Sequence, residues 1–108
     1  MEKHCTTIYF LLKKTRKDKN GDSPIDAWIA VNGERTSYST GKKVKVSEWD
    51  EKKQLVKGSS DKAKLINEYL YQLRNKVFQK EIELMEKGFM LTPTLLKEAV
   101  NGYVDAVN

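Results

Sequence analysis

Ile25-Asp26-Ala27-Trp28-Ile29-Ala30-Val31-Asn32-Gly33-Glu34-Arg35-Thr36-Ser37-Tyr38-Ser39-Thr40 decides the fold. Ile25, Ala27, Ile29 and Val31 alternate with other residues, the period of a strand with one buried face. Asn32-Gly33 follows at once. Both residues tolerate the positive φ of a type I′ turn, so the chain reverses there and Glu34 to Thr40 returns as an antiparallel third strand. Gly41 is expected to end it, with Val44-Lys45-Val46 a short extended piece beyond. Upstream, Thr6 to Leu12 is rich in β-branched and aromatic residues and reads as the first strand. Lys13 to Pro24 is polar and basic and ends in turn formers, so it reads as a loop.

The second half changes period. Ser47-Glu48-Trp49-Asp50 reads as a capped turn, with Trp49 anchoring it on the core. Lys57-Gly58-Ser59-Ser60 is a linker, and Ser60 or Asp61 can cap a long helix. Ile66, Leu70, Leu73, Val77 and Met85 form one apolar stripe along it, with Tyr69 and Ile82 beside them. Gly88 suits its end. Thr92-Pro93-Thr94 opens a shorter helix, where proline fits the first turn. Leu95, Leu96, Ala99 and Val100 supply its apolar face. The expected class is α+β: a three-stranded antiparallel sheet packed on one face by a long C-terminal helix, with a second short helix. A length of 108 residues suits one domain. Residues 1–58 form its sheet part and residues 59–108 its helical part.

Alternation assigns the two faces of the sheet. Ile8, Phe10 and Leu12 join Ile25, Ala27, Ile29 and Val31, with Thr36, Tyr38 and Thr40, on the core side. The opposite side carries Leu11, Lys13, Trp28, Arg35, Ser37 and Ser39. One long helix covers only one face, so this mixture stays open and suits a groove or a phosphate surface. Trp28 has a second possible place, under the C-terminal helix in a small core of its own.

The net charge is +5, and it is uneven. Residues 1–57 hold 13 basic and 8 acidic residues, while residues 58–108 hold 7 of each. A basic half on a neutral half points to an anionic partner. Lys13, Lys14, Arg16, Lys17 and Lys19 crowd the first loop. Lys42 and Lys43, with Arg35, add charge at the far strand. No catalytic set stands out. His4 and Cys5 are single residues of their kind, too few for a structural zinc site, and as strand neighbours they would point apart. Asn20-Gly21-Asp22 lacks the oxygen-ligand pattern of a calcium loop. No phosphate-binding glycine loop, cofactor motif or membrane-length apolar run stands out, so no cofactor or small-molecule substrate is expected, and Met1-Glu2-Lys3-His4-Cys5 has no apolar h-region, so no secretory signal is expected. Cysteine usage suits a reducing cytoplasm.

Phe10-Leu11-Leu12-Lys13-Lys14, a basic loop, Ser23-Pro24-Ile25, Val31-Asn32-Gly33-Glu34-Arg35, Ser39-Thr40-Gly41 and Val46-Ser47-Glu48-Trp49-Asp50 follow one another in a familiar order. With Val56-Lys57-Gly58 before the long helix, this ordered set resembles the N-terminal arm-type DNA-binding domain of tyrosine recombinases (integrases) from phages and other mobile elements. The resemblance spans roughly residues 5–100. It implies sequence-specific binding of double-stranded DNA at arm-type sites, in support of DNA integration and excision. It also implies a sheet laid into the major groove, and other integrase protomers as further partners. Core-binding and catalytic domains would follow in a longer protein, the latter with a tyrosine nucleophile. No catalytic residue carries over here, and Tyr103 lacks the partners such a nucleophile needs. The DNA-binding residues it suggests are Lys13, Lys14, Arg16, Lys17, Lys19, Trp28, Arg35, Ser37, Ser39, Lys42 and Lys43. Trp28 and Ala30 stand where relatives often place an arginine or another polar residue. The rival readings are a double-stranded RNA-binding domain, which normally has a helix before its first strand, and a protein-interaction module.

Overall fold

A computed structural model describes residues 6–101. The expectations on His4, Cys5 and Tyr103 lie outside the described residues. Strands β1 (Thr6–Leu12), β2 (Asp22–Val31) and β3 (Glu34–Lys45) form an antiparallel sheet in the order β1-β2-β3. Asn32 and Gly33 make the expected two-residue hairpin, with φ of 50° and 91°. Ala27 stands opposite Tyr38, and Ile29 opposite Thr36. Ile8, Phe10, Ile25, Ala27, Ile29 and Val31 are all buried on one face, as alternation predicts.

The strand ends depart from the sequence reading. β2 begins at Asp22 rather than Ile25, and β3 runs through Gly41 to Lys45. Gly41 is a bulge, not a stop. The register passes from Asp26 opposite Ser39 to Pro24 opposite Lys43, so β3 advances four residues while β2 advances two. Gly41 takes a φ of 80°, a conformation glycine reaches without a Cβ clash. Thr40 Oγ1 donates to the Ile25 carbonyl at 2.8 Å and accepts from the Lys42 amide at 3.1 Å, which replaces the broken ladder. An even number of extra residues keeps the alternation in phase, so Val44 is buried again beyond the bulge. The bulge also accommodates Pro24, whose missing N–H would break a regular central strand.

The turn near Trp49 is more elaborate than a cap. A single 3₁₀ turn covers Val46–Glu48, and its Glu48 Oε1 accepts from the Lys45 amide at 3.1 Å. Val46 therefore leaves the extended piece expected there. Strands β4 (Trp49–Asp50) and β5 (Leu55–Val56) then form a small hairpin. Trp49 is the expected anchor in the core. Gln54, at a φ of 57°, turns its Oε1 onto the Phe10 amide at 2.9 Å and ties the hairpin to β1.

Helix α1 spans Asp61–Glu86 and α2 spans Pro93–Val100. Ser60 Oγ accepts from the Ala63 amide and Thr92 Oγ1 from the Leu95 amide, both ordinary N-caps. Gly88 ends α1 in a Schellman motif: the Phe89 amide reaches the Leu84 carbonyl and the Gly88 amide reaches Met85. The buried stripe is Ala63, Ile66, Leu70, Leu73, Val77 and Leu84. Met85, expected in it, is 44% exposed, and Ile82 beside it is 57% exposed. Seven residues past Val77 return within about 20° of the same face, whereas eight overshoot by about 80°.

Both helices, rather than the long one alone, cover the inner face. Arg74 of α1 donates to the Ile8 carbonyl at 2.8 Å, and Lys97 of α2 donates to the Ser37 carbonyl at 3.1 Å. Asn67 fastens α1 to β5 by a two-point clamp. It accepts from the Val56 amide at 2.8 Å and donates to the Val56 carbonyl at 3.0 Å. Asn67→Ala leaves both strand groups without a partner, so a loss of about 1–3 kcal/mol is expected in urea unfolding. A loss under about 0.5 kcal/mol, the size of a neutral surface change, would assign the clamp no structural weight.

Candidate nucleic-acid interface

The face of the sheet turned away from the helices is uncovered. Trp28 lies there, not under a helix, which settles the two places the sequence left open. It is half-buried because its ring is stacked on Tyr9, with centroids 6.2 Å apart and planes within 6°. The two residues are direct cross-strand partners on β1 and β2. The Arg35 guanidinium lies 5.1 Å above the Trp28 ring, and its Nη1 donates to the Tyr9 hydroxyl at 3.3 Å. Ser37 pairs with Trp28 in the β2–β3 register, beside this group. Ser39 stands opposite Asp26, but its Oγ accepts from the Gly41 amide at 3.2 Å and so serves the bulge.

Lysines border this centre. Lys13 Nζ lies 3.7 Å from Asp26, Lys43 Nζ 3.5 Å from Asp18, and Lys45 Nζ 3.6 Å from Asp22. Lys14 pairs closely with Glu51. The lysines of these pairs are about half exposed. Of these pairs only Lys14–Glu51 is exposed on both sides, the kind of surface pair that contributes about 0–1 kcal/mol, whereas the Asp18, Asp22 and Asp26 side chains are mostly buried. Arg16, Lys17 and Lys19 are exposed, and among the described residues none has a salt-bridge partner.

The basic loop is a built turn. Asp18 Oδ1 accepts from the Asn20 and Asp22 amides at 2.9 and 3.0 Å, and the Asp18 amide donates to the Asp22 carbonyl at 2.8 Å. The Asp22 amide holds the Asp18 carboxyl below the usual carboxylate range, assisted by the Asn20 amide and Lys43 against partial desolvation. Gly21, at a φ of 83°, completes the reversal. The Lys42 ammonium is apart from these lysines: it sits 4.8 Å over the Tyr69 ring of α1, on the helical side.

Three members of this surface escaped the sequence reading as site residues. Tyr9 alternates with the core residues Ile8 and Phe10 and so faces outward, but nothing in its sequence context gives it a role. Asp26 brings a carboxylate into the middle of a basic face, and Lys45 extends the basic border. The alternation already turned Tyr9 and Trp28 to one side. Only the β1–β2 register, set across a loop of unknown geometry, makes them stacking partners.

A basic three-stranded sheet, open on one face and backed by two helices on the other, is the build of a small sheet-type nucleic-acid-binding module. Residues 10–97 match the model of the arm DNA-binding domain family, and the chain belongs to that family. No curated protein and no solved structure matches the chain. The module is thus a DNA-binding domain, and DNA is its partner. Among the described residues no helix is long and apolar enough to cross a membrane, and no group of histidine, cysteine and carboxylate side chains could hold a metal ion.

Proposed function

We propose that this domain binds arm-type duplex sites for a tyrosine recombinase, in support of integration and excision of a mobile element. The observation that carries this is the open face itself, where Arg35, Trp28 and Tyr9 form a compact centre within a border of lysines. Strands of this kind enter a major groove in sheet-type DNA readers. The centre then faces base edges, and Lys13, Lys14, Arg16, Lys17, Lys19 and Lys43 lie toward the phosphates. Ser37 is placed for a further base or phosphate hydrogen bond. Core-binding and catalytic domains of the longer protein perform the strand exchange, in the bacterial cytoplasm at the nucleoid. The isolated chain binds duplex DNA but neither nicks nor joins it.

A competition shift assay tests this reading, with duplex DNA from the ends of the encoding element, duplex RNA and random duplex DNA as competitors. The terminal DNA should compete best. Preference for duplex RNA would overturn the proposal in favour of an RNA-binding module.

The phosphate assignment has its own signature. Each phosphate contact contributes about −0.9 to the slope of log affinity against log salt. Lys17→Ala should weaken terminal and random duplexes alike and flatten the slope by nearly that amount. A salt series in fluorescence anisotropy measures it, and an unchanged slope removes Lys17 from the backbone contacts.

A further inference from the structure

Arg35 is the side chain on the open face best suited to bidentate guanine recognition, yet an exposed arginine on a strand is ordinarily mobile. Here it is held at two points. The flat guanidinium rests 5.1 Å over Trp28, and one nitrogen donates to the Tyr9 hydroxyl at 3.3 Å. Trp28 is itself braced by the parallel Tyr9 ring at 6.2 Å. All three strands contribute: Tyr9 from β1, Trp28 from β2, Arg35 from β3. We propose that Tyr9 and Trp28 are positioning residues for sequence readout, holding the Arg35 guanidinium at one place and one tilt for a guanine edge. This rests on the reading of the open face as the base-reading surface.

The chemistry leaves the readout groups available. A guanidinium carries five N–H donors in a fixed planar fork, and the Tyr9 contact occupies one of them. The remaining donors can meet guanine O6 and N7 together. The Tyr9 oxygen is the acceptor toward Arg35, at the cost of only that one donor. The Trp28 ring, 5.1 Å from the guanidinium carbon, adds a second restraint on the fork that a hydrogen bond alone would not supply. A lysine here could still donate to Tyr9 and lie over the indole, but an ammonium has no planar fork to orient toward a guanine edge. Tyr9 and Trp28 therefore act on the choice among sequences. The bordering lysines set affinity for duplex DNA of any sequence.

The test uses two duplexes: one selected by the wild-type chain from a randomised pool, and one of random sequence. Tyr9→Phe keeps the ring and the stack and removes only the hydroxyl. It should lose roughly three- to tenfold in affinity for the selected duplex and less than about twofold for the random one. Trp28→Leu should show the same selective loss, and thermal unfolding checks that it still folds. The deciding measurement is a double-mutant cycle on the selected duplex. In an Arg35→Ala background, Tyr9→Phe should cost nothing further, because its role passes through the guanidinium. Equal, additive losses with and without Arg35 would overturn the positioning role and make Tyr9 an independent contact. If the wild-type chain enriches no duplex from the pool, the base-reading surface fails and this role with it.

Discussion

Leu70→Ala lowers the unfolding free energy by about 2–5 kcal/mol. Leu70 is 1% exposed at the middle of the buried stripe of α1, in one core with Ile8, Phe10 and Ile29 of the sheet. Truncation there removes apolar contacts and leaves a cavity that helix and sheet can only partly collapse into. A domain of this size holds about 5–15 kcal/mol in total, so the loss is a large fraction of its stability. Urea unfolding measures it as a fall in midpoint at constant slope. Ile82→Ala, on the exposed side of the same helix, should stay within about 0.5 kcal/mol. The contrast between the two variants checks the helix phase directly, and comparable losses at both positions would contradict it.

Arg35→Ala should cost about 1–3 kcal/mol on the specific site and much less on random duplex. The difference arises because a bidentate contact to guanine is lost wholly at the right base, whereas a single phosphate contact is lost everywhere. Arg35→Lys separates charge from shape. It keeps the positive charge and so should hold random-duplex affinity near the wild-type value. It should still lose most of the specific increment, since an ammonium cannot make the planar two-point contact. Paired titrations on both duplexes across a salt series read all of this. Equal losses on both duplexes for Arg35→Ala would reduce Arg35 to one more phosphate contact and move base readout to Ser37 or Trp28.

The features legible from residues alone were those decided within a few positions. Asn32-Gly33 carries its own turn preference, Ser60 and Thr92 their own caps, and Gly88 its own helix stop. The alternation from Ile25 to Val31 assigns faces without reference to any neighbour. These local preferences determined the three strands, the two helices and the side of the sheet left uncovered. The ordered motifs also carried the family.

What depended on distant pairs was decided by tertiary structure. Gly41 reads as a strand end until Pro24 and Ile25 are set opposite it, because a bulge is a property of two strands and not of one. Lys42 and Lys43 are equivalent in sequence, yet the bulge and the Tyr69 ring take one ammonium to the helical side while Asp18 keeps the other at the sheet. The Tyr9–Trp28–Arg35 group joins residues from three strands, and register alone brings them within contact. Short-range conformational preferences are encoded where they act, whereas contacts between strands exist only once loop closure has set which residues face each other.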